Sequence, residues 1–501
     1  MIRNYSRTAK LQKQSFKSCI NSVSPVFSVV HSLGFKDGAE SIIRAMKFSS
    51  ALLHKYVKAG PRYTSYPTAP YFHESFGPAQ WEEELRASQD KGRDISLYAH
   101  IPFCDTLCYY CGCNMIATKD YRKAESYLEV LCKEIDRVAA QTNPARKVRQ
   151  LHWGGGTPTY LKPDDIRRLY AHIAGKFSID KDAETGCEMD PRELSQDHVR
   201  ALRESGFNRV SLGVQDLDAQ VQHAVNRVQP EPLIRQVYDW IREQGFHSVN
   251  FDLMIGLPHQ TPASFEQTLD KVIAMGPDRF AVFNYAHVPW MKKHQKLIVE
   301  ETLPQIDARL ELQKLTLEKL TAAGYVYIGM DHFARPDDEL VKAQQAKTLY
   351  RNFQGYTTHK DCDILAFGAS AISQTDEVYA QNVKVLSEYK ILVNAGKLPV
   401  ERGLRISHED KLRREAITQI MCDLELDKAN FGAQWNIDFD SYFADALESL
   451  KEMQADGLVA LETDKVRVTE DGRVFLRNIA MAFDAYLHQQ AVDKPRYSKT
   501  V

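Results

Sequence analysis

The sequence predicts an α/β protein, a partial barrel of parallel strands followed by a smaller, mainly helical domain of winged-helix character. Three observations carry this. From about residue 94, short runs rich in β-branched and aromatic residues alternate with amphipathic stretches; the polar and glycine-rich words fall where those runs end; and from about residue 380 the alternation stops. Strands alternating with helices build parallel sheets, and barrel-like enzymes of this build place their sites at strand ends. An open flavodoxin-like sheet satisfies the same alternation and stays open at this point.

The strand-like runs are, in order, SLYAHIPF, RQLHWGGG, TGCEMDP, RVSLGVQ, VNFDLMIGLP, RFAVFNYAH and YVYIGMDHF. Amphipathic stretches such as SYLEVLCKEIDRVAAQ, DIRRLYAHIAGKF and ARLELQKLTLEKLTAAG separate them. Further on, KLRREAITQIMCDLEL and SYFADALESLKEMQADGLV read as helices, VALETDKVRVT as a hairpin and GRVFLRNIAMAFDAYL as a closing helix. That order is winged-helix-like. The helix before the hairpin carries Asp445, Glu448, Glu452 and Asp456, which would repel phosphates, so packing as a lid over the barrel is expected rather than DNA binding. The expected segments are an extension at 1–45, an N-terminal segment at 46–93, the barrel at 94–375, the helical domain at 376–490 and a tail at 491–501.

Composition fits a large protein of two or three domains, with 44% hydrophobic and 26% charged residues among 501. A net charge of -2 argues against a nucleic-acid or anionic-membrane partner. No apolar run approaches the roughly 20 residues that span a bilayer, so membrane insertion is not expected. No heptad or large apolar helix face stands out, and a monomer is the expectation. The first 45 residues differ from the rest: before Asp37 there is no acidic residue, while Arg3, Arg7, Lys10, Lys13, Lys17 and Lys36 are interleaved with serine. This reads either as a transit peptide or as translated sequence upstream of a start at Met46. The corresponding locations are an organelle matrix or the cytoplasm.

The chemistry is announced by Cys104-x3-Cys108-x2-Cys111, at the end of the strand-like run ISLYAHIPF and followed by Gly112-Cys113-Asn114. Thiolates hold iron-sulfur clusters, and three ligands on a four-iron cubane leave one iron open for a small molecule. A zinc site would want a fourth ligand at matching spacing, and none follows. A disulfide fits poorly with nine cysteines, an odd number, in a chain showing no signal peptide. The remaining alternative is buried apolar cysteines, the reading given to Cys19, Cys132, Cys187, Cys362 and Cys422. Cys113 is ambiguous on spacing alone. Next along the chain, Gly154-Gly155-Gly156-Thr157 closes a strand, as a plain turn or as a place where backbone approaches a ligand closely.

The Cx3Cx2C spacing is the cluster signature of the radical S-adenosylmethionine (SAM) enzymes. Within that superfamily the words YAHIPFCDTLCYYCGCN, HWGGGTPTYL, GFNRVSLGVQD, GMDHFARPDDEL and NFQGYTT resemble the oxygen-independent coproporphyrinogen III oxidase family. The resemblance runs from about Lys55 to Tyr486 and includes GPRYTSYPTA at 60–69, which radical SAM enzymes in general do not carry. It implies a partial (β/α) TIM-like barrel of the radical SAM type and a [4Fe-4S] cluster on Cys104, Cys108 and Cys111. The open iron would chelate SAM, which yields a 5′-deoxyadenosyl radical on one-electron reduction; Cys113 would not be a ligand. It further implies two SAM molecules side by side, the first contacted by Tyr98, Gly155, Glu188 and Ile372. Tyr110, Gly156, Thr157, Gln215, Arg227, Asp252 and Ala286 would line the second. Carboxylates suit ribose hydroxyls or an amino group, and arginine suits a carboxylate. The chain departs from the family before Glu188, where Gly186 interrupts the strand and Met189 replaces a usual Val, and Tyr110 stands where Phe is also common.

The implied substrate is coproporphyrinogen III, two of whose propionates would become vinyl groups to give protoporphyrinogen IX. An unidentified electron donor and acceptor are needed. Anionic propionates call for cations, with Arg62 the first candidate and Arg335 the second. GPRYTSYPTA is expected to shield the site from water. Among His100, His152, His287 and His332, all at or near strand ends, His100 lies four residues before Cys104 and would orient the cluster loop, act on substrate, or serve structurally. Two other functions are weighed: a related haem-binding chaperone, which lacks both the fourth cysteine and GPRYTSYPTA, and a non-catalytic iron-sulfur regulator. Cys111→Ser is expected to abolish bound iron and Cys113→Ser to retain it; equal losses in iron and sulfide analysis would refute the ligand assignment.

Overall fold

The run DISLYAHI forms strand β1 (Asp94–Ile101), buried along almost its whole length because neighbours cover both its faces. In the computed structural model, residues 50–487 together with Tyr497 and Thr500 are described. The basic extension expected at 1–45 and most of the tail expected at 491–501 lie outside the described residues.

After β1 come two short strands, β2 (Phe103–Cys104) and β3 (Ile116–Ala117), and then the long strands of the repeat. These are β4 (Lys147–Gly155), β5 (Ser178–Met189), β6 (Arg209–Gln215), β7 (Ser248–Ile255) and β8 (Arg279–Asn284). They are followed by β9 (Val326–Gly329), β10 (His332–Ala334), a hairpin of β11 (Tyr350–Asn352) and β12 (Gly355–Thr357), and β13 (Cys362–Phe367). One twelve-stranded sheet has the order β16-β15-β14-β13-β1-β4-β5-β6-β7-β8-β10-β9, where β14 is Ile372–Gln374, β15 Val378–Asn382 and β16 Val400–Arg405. From β13 to β8 every pairing is parallel; outside them the pairings turn antiparallel. The end strands β16 and β9 do not pair with each other, so the barrel is partial. The sheet also runs on past residue 376, through β15 and β16: short polar-edged strands joined by a helix carry little periodic signal.

Helices cover the outer face through apolar stripes. Arg122–Ala139, for example, buries Tyr127, Leu128, Leu131, Ile135 and Val138. Trp153, Phe207, Phe251 and Phe280 are fully buried in the same core, each contributing about 2–3 kcal/mol by leaving water. The helix Pro262–Met275 starts at the Thr261 cap and stops at Gly276, whose φ of 70° is the left-handed conformation glycine adopts freely.

The C-terminal part has the helix and hairpin order expected. Helices His408–Asp423, Lys428–Trp435 and Ala444–Ala455 accompany a three-stranded antiparallel sheet of β17 (Glu425–Asp427), β19 (Lys465–Val468) and β18 (Val459–Leu461). Its core merges with Leu53, Tyr56, Tyr63 and Tyr66, and with Ile328 of β9. The expectation of a lid is corrected by this packing, which places the domain beside β9 at the sheet edge, and none of its residues lines the large cavity described below. GPRYTSYPTA is clamped in the same seam. Arg477 donates to the carbonyls of Gly60 and Pro61, Tyr63 Oη to Asp484 at 2.9 Å, and Tyr379 Oη to the Tyr66 carbonyl at 3.2 Å.

Behind β1, the buried Glu134 ties three segments together. Its carboxylate accepts from Tyr389 Oη at 2.5 Å, Gly368 N at 2.8 Å and Asn382 Nδ2 at 2.6 Å. Glu134→Ala would orphan all three donors and is expected to cost about 3 kcal/mol, with Glu134→Gln losing less; urea denaturation of the two variants checks the order.

Candidate active site

A cavity of about 680 Å³ runs along β4 to β8, from Arg209, Ser248 and Arg279 at strand starts to Gly155, Gln215 and Asn284 at strand ends, and is lined at the latter end by Cys104, Cys108, Cys111 and Cys113. Its first wall is backbone. Gly156 N donates to the Ile101 carbonyl and Thr157 N to the Phe103 carbonyl, both at 2.8 Å, which fixes the glycine loop against the start of the cysteine loop. A Cβ on Gly156 would lie 2.8 Å from the Phe103 oxygen, and one on Gly154 2.8 Å from the Glu188 carboxylate. Gly155 has φ of 117°, and its missing Cβ leaves space for the His100 ring. Gly155 N donates to Glu188 at 3.1 Å. With three amides of this loop spent inside the protein, a ligand here meets carbonyl oxygens, which suits a donor such as an ammonium group.

The cysteine loop is held at both ends. Ile116 N donates to the Pro102 carbonyl, Tyr109 N to Val225 and Asn226 Nδ2 to Leu107. Cys104 and Cys108 are buried, Cys111 is half-buried and Cys113 exposed. Burial pushes the Cys104 thiol up to about 12, against Thr157 Oγ1 at 3.3 Å, while the contact with Cys113 brings Cys111 down to about 6. Cys108 Sγ receives hydrogen bonds from Arg192 at 3.3 Å and Arg227 at 3.5 Å. Asp190 binds both guanidinium groups, at 2.6 and 2.9 Å; burial opposes its charge, but the two arginines outweigh that and hold it well below the usual carboxylate range. Two cations thus face the Cys108 sulfur. Among the described residues, no three His, Cys, Asp or Glu side chains converge as a single ion would require. A cluster places its thiolates on different irons, so three thiols around one cavity fit a cluster better than one ion.

His100 Nε2 donates to the Asn114 carbonyl at 2.9 Å, and Tyr98 Oη lies 3.1 Å from His100 Nδ1. Burial lowers the His100 pKa, so the ring is neutral, with one nitrogen on Tyr98 and the other on the cysteine loop. The polar middle of the cavity comes from aligned strands: Glu188 sits level with Ser211 and Ser211 with Asn250, and Gly213 sits level with Asp252. Ser211 and Asn250 each donate to Asp252 at 2.8 Å, and burial raises the Asp252 pKa to about 7. Glu188 lies 3.4 Å from His152; burial works against its charge, but His152 and Gly155 N keep it lowered. Gln215, after a bulge in β6, has a φ of 63°, and its Oε1 is buried without a partner. A strained backbone that aims an unpaired acceptor into a cavity points to a ligand.

Of the residues singled out from sequence, Cys104, Cys108, Cys111, Tyr110, Gly155, Gly156, Thr157, Glu188, Gln215, Arg227, Asp252 and Ala286 line this cavity. Tyr98, His100, Ile372 and Arg62 do not. Arg62 is bound to Asp331 at 2.5 Å, and Arg335 donates to the carbonyls of Gly276 and Pro277. No residue from 60–69 lines the cavity. Three further lining residues, Asp190, Arg192 and Gln354, carry no signal of their own in the sequence. Gln354, in the NFQGYTT word, has both side-chain atoms buried without partners, as has Nδ1 of His332. His332 sits edge-on to Phe283 and Tyr356, and burial, reinforced by Arg351, lowers its pKa to about 3. The cavity thus has a thiol end and, across the sheet on β10 to β12, an end of aromatic rings and unpaired polar atoms.

Residues 98–272 match the Radical SAM superfamily and residues 406–475 the HemN C-terminal domain. The chain is similar to oxygen-independent coproporphyrinogen III oxidases. It is 46% identical to that of Escherichia coli strain K12 over 90% of this chain and 98% of the relative. It is 44% identical to that of Synechocystis over 89% and 97%, and 44% identical to that of Pseudomonas aeruginosa over 92% and 100%. The solved structure of the Escherichia coli coproporphyrinogen III oxidase, described as a radical SAM enzyme, superposes with a TM-score of 0.84 at 44% identity, over 88% of this chain and 99% of that one. Gly156→Ala is expected to displace the Phe103 backbone and lower the iron bound per chain. Gly112→Ala, whose Cβ would meet nothing within 4 Å, should leave it unchanged; iron analysis of the two side by side checks this.

Proposed function

The chain belongs to the oxygen-independent coproporphyrinogen III oxidase family of radical SAM enzymes, and on that premise we propose that it converts two propionates of coproporphyrinogen III to vinyl groups. Each conversion removes one hydrogen atom, one electron and carbon dioxide. A [4Fe-4S] cluster with SAM on its open iron would supply the radical that takes the hydrogen atom. Cys104, Cys108 and Cys111 would hold that cluster, with Arg192 and Arg227 offsetting the thiolate charge at Cys108. The observation that carries the reading is this convergence of three thiols on one cavity that also holds unpaired buried acceptors.

The chain's own residues then divide the work. Glu188 and the carbonyls of the glycine loop would receive a SAM amino group. His100, wedged between Tyr98 and Asn114, keeps the cysteine loop in place. A second SAM is supported by Tyr110, Gln215 and Asp252, which are not needed to hold the first, with the unpartnered Nε of Arg227 beside them. The tetrapyrrole would lie toward His332, Gln354 and Tyr356, where flat rings and unpaired amide atoms match its pyrrole faces and polar edges. The clamped 60–69 segment would keep the seam beside β9 dry. The one-electron donor and the acceptor are separate partners, the working form is a monomer, and the cytoplasm is the expected location.

Anaerobic incubation of the reconstituted protein, pre-reduced with dithionite, with SAM, coproporphyrinogen III and an added one-electron acceptor tests this. Two carbon dioxide released per tetrapyrrole with protoporphyrinogen formed is the expected result; haem binding without turnover would favour the chaperone, and neither result the regulator. Asp252 titrates near 7 and is protonated below that, so its ability to accept from a ribose hydroxyl grows as pH rises. SAM binding measured calorimetrically is expected to strengthen from pH 6 to 8, and Asp252→Asn to flatten that dependence.

A further inference from the structure

The outer side of the cysteine loop is an exposed apolar and basic surface. Among the described residues seven large hydrophobic side chains are exposed, and five of them, Trp290, Met291, Leu297, Val299 and Val385, belong to two segments that grip this loop. In the first segment Lys292 Nζ donates to the Cys113 carbonyl at 2.9 Å, His294 Nε2 to Cys111 at 2.7 Å and Gln295 Nε2 to Tyr110 at 3.0 Å. In the second, the Lys384 carbonyl accepts from Asn114 Nδ2 at 3.2 Å. Apolar side chains concentrated in this way mark a contact surface, since isolated ones are scattered over any protein.

The charge on the patch selects the partner. Lys293, Lys296 and Lys384 are exposed and form no ion pair among the described residues. The nearby carboxylates are Glu300, held by His287 at 3.0 Å, with Glu301 and Glu401. Met291 and Lys292 also line the cavity, at its rim, whereas Trp290, Leu297, Val299, Lys293 and Lys296 do not, so the outer part of this surface lies outside the space a small substrate meets. His294 bridges the patch to the Cys111 carbonyl and Lys292 bridges it to the Cys113 carbonyl, so the patch abuts the loop whose cysteines would hold a cluster.

We propose that this surface docks a small acidic electron-carrier protein, of the flavin or iron-sulfur type, which passes one electron to the cluster through the cysteine loop. The carrier is oxidised by one electron and the cluster reduced by one. The apolar centre supplies contact area and the lysine rim steers an acidic partner into register. This rests on the cluster assignment above, and the arms of the test keep the two apart.

The test uses the full-length reconstituted protein and a purified reduced flavodoxin as probe, with the Lys293→Glu/Lys296→Glu double variant and Leu297→Ser. Flavodoxin affinity, measured by surface plasmon resonance at low salt, is expected to fall about tenfold in the double variant and to lose most of its salt dependence, and Leu297→Ser is expected to weaken it as well. Bleaching of the cluster absorbance by flavodoxin should slow in parallel, while the rate with dithionite and the KM for coproporphyrinogen III stay unchanged. Unchanged flavodoxin affinity overturns the proposal. So does a raised tetrapyrrole KM with dithionite, which would assign the lysines to substrate. Dimers in sedimentation that the variants dissociate would assign the patch to a second copy and overturn it likewise. Inactivity with dithionite in the unaltered protein would count against the cluster assignment, while the affinity comparison would still judge the docking surface.

Discussion

Everything in the site depends on how closely the backbone at the end of β4 meets the backbone leaving β1. The amides of Gly156 and Thr157 bond to the carbonyls of Ile101 and Phe103, and the fit leaves no room for a Cβ at Gly156. This contact sets the height of Cys104 at the cavity wall and puts Thr157 beside its sulfur. It also consumes donor groups that would otherwise face a ligand, so the loop presents acceptors. A glycine run that reads as flexibility is here a rigid, close-packed joint, because the hydrogen bonds are short and Glu188, His100 and Phe103 fill the space that side chains would take.

Charge is arranged around that joint in two layers. Near the thiols, Asp190, Arg192 and the buried Arg227 form an ion-paired set whose cations reach the Cys108 sulfur. Further in, carboxylates in dry surroundings have their proton affinities pulled in opposite directions: Glu188 is kept ionised by His152 and Gly155, while Asp252, surrounded by neutral donors, holds its proton to near neutrality. Two carboxylates, on β5 and β7 with β6 between them, are thereby prepared for different partners, as their alternative hydrogen-bonding capacities require.

Much of this was legible in the sequence because it is local. The alternation of strand and helix follows from side-chain periodicity, and the cysteine spacing and glycine run are short words with their own geometry. What escaped was non-local. Asp190 and Arg192 follow β5 as ordinary turn residues, and only the fold brings Arg227 and Cys108 to them. The low proton affinity of His332 needs Phe283, Tyr356 and Arg351, each contributed by a different element. Arg62 looked like a free cation because Asp331 is distant in sequence. The strands β14 to β16 are short, and antiparallel edge strands lack the long apolar runs that mark the barrel interior.

The central claim is that the thiol end of the cavity holds a redox cluster whose open iron takes SAM. Electron paramagnetic resonance of the reduced, reconstituted protein with and without SAM tests it most directly. A four-iron signal whose shape changes when SAM is added is expected, since a ligand would enter one iron; identical spectra in the two samples would contradict that coordination.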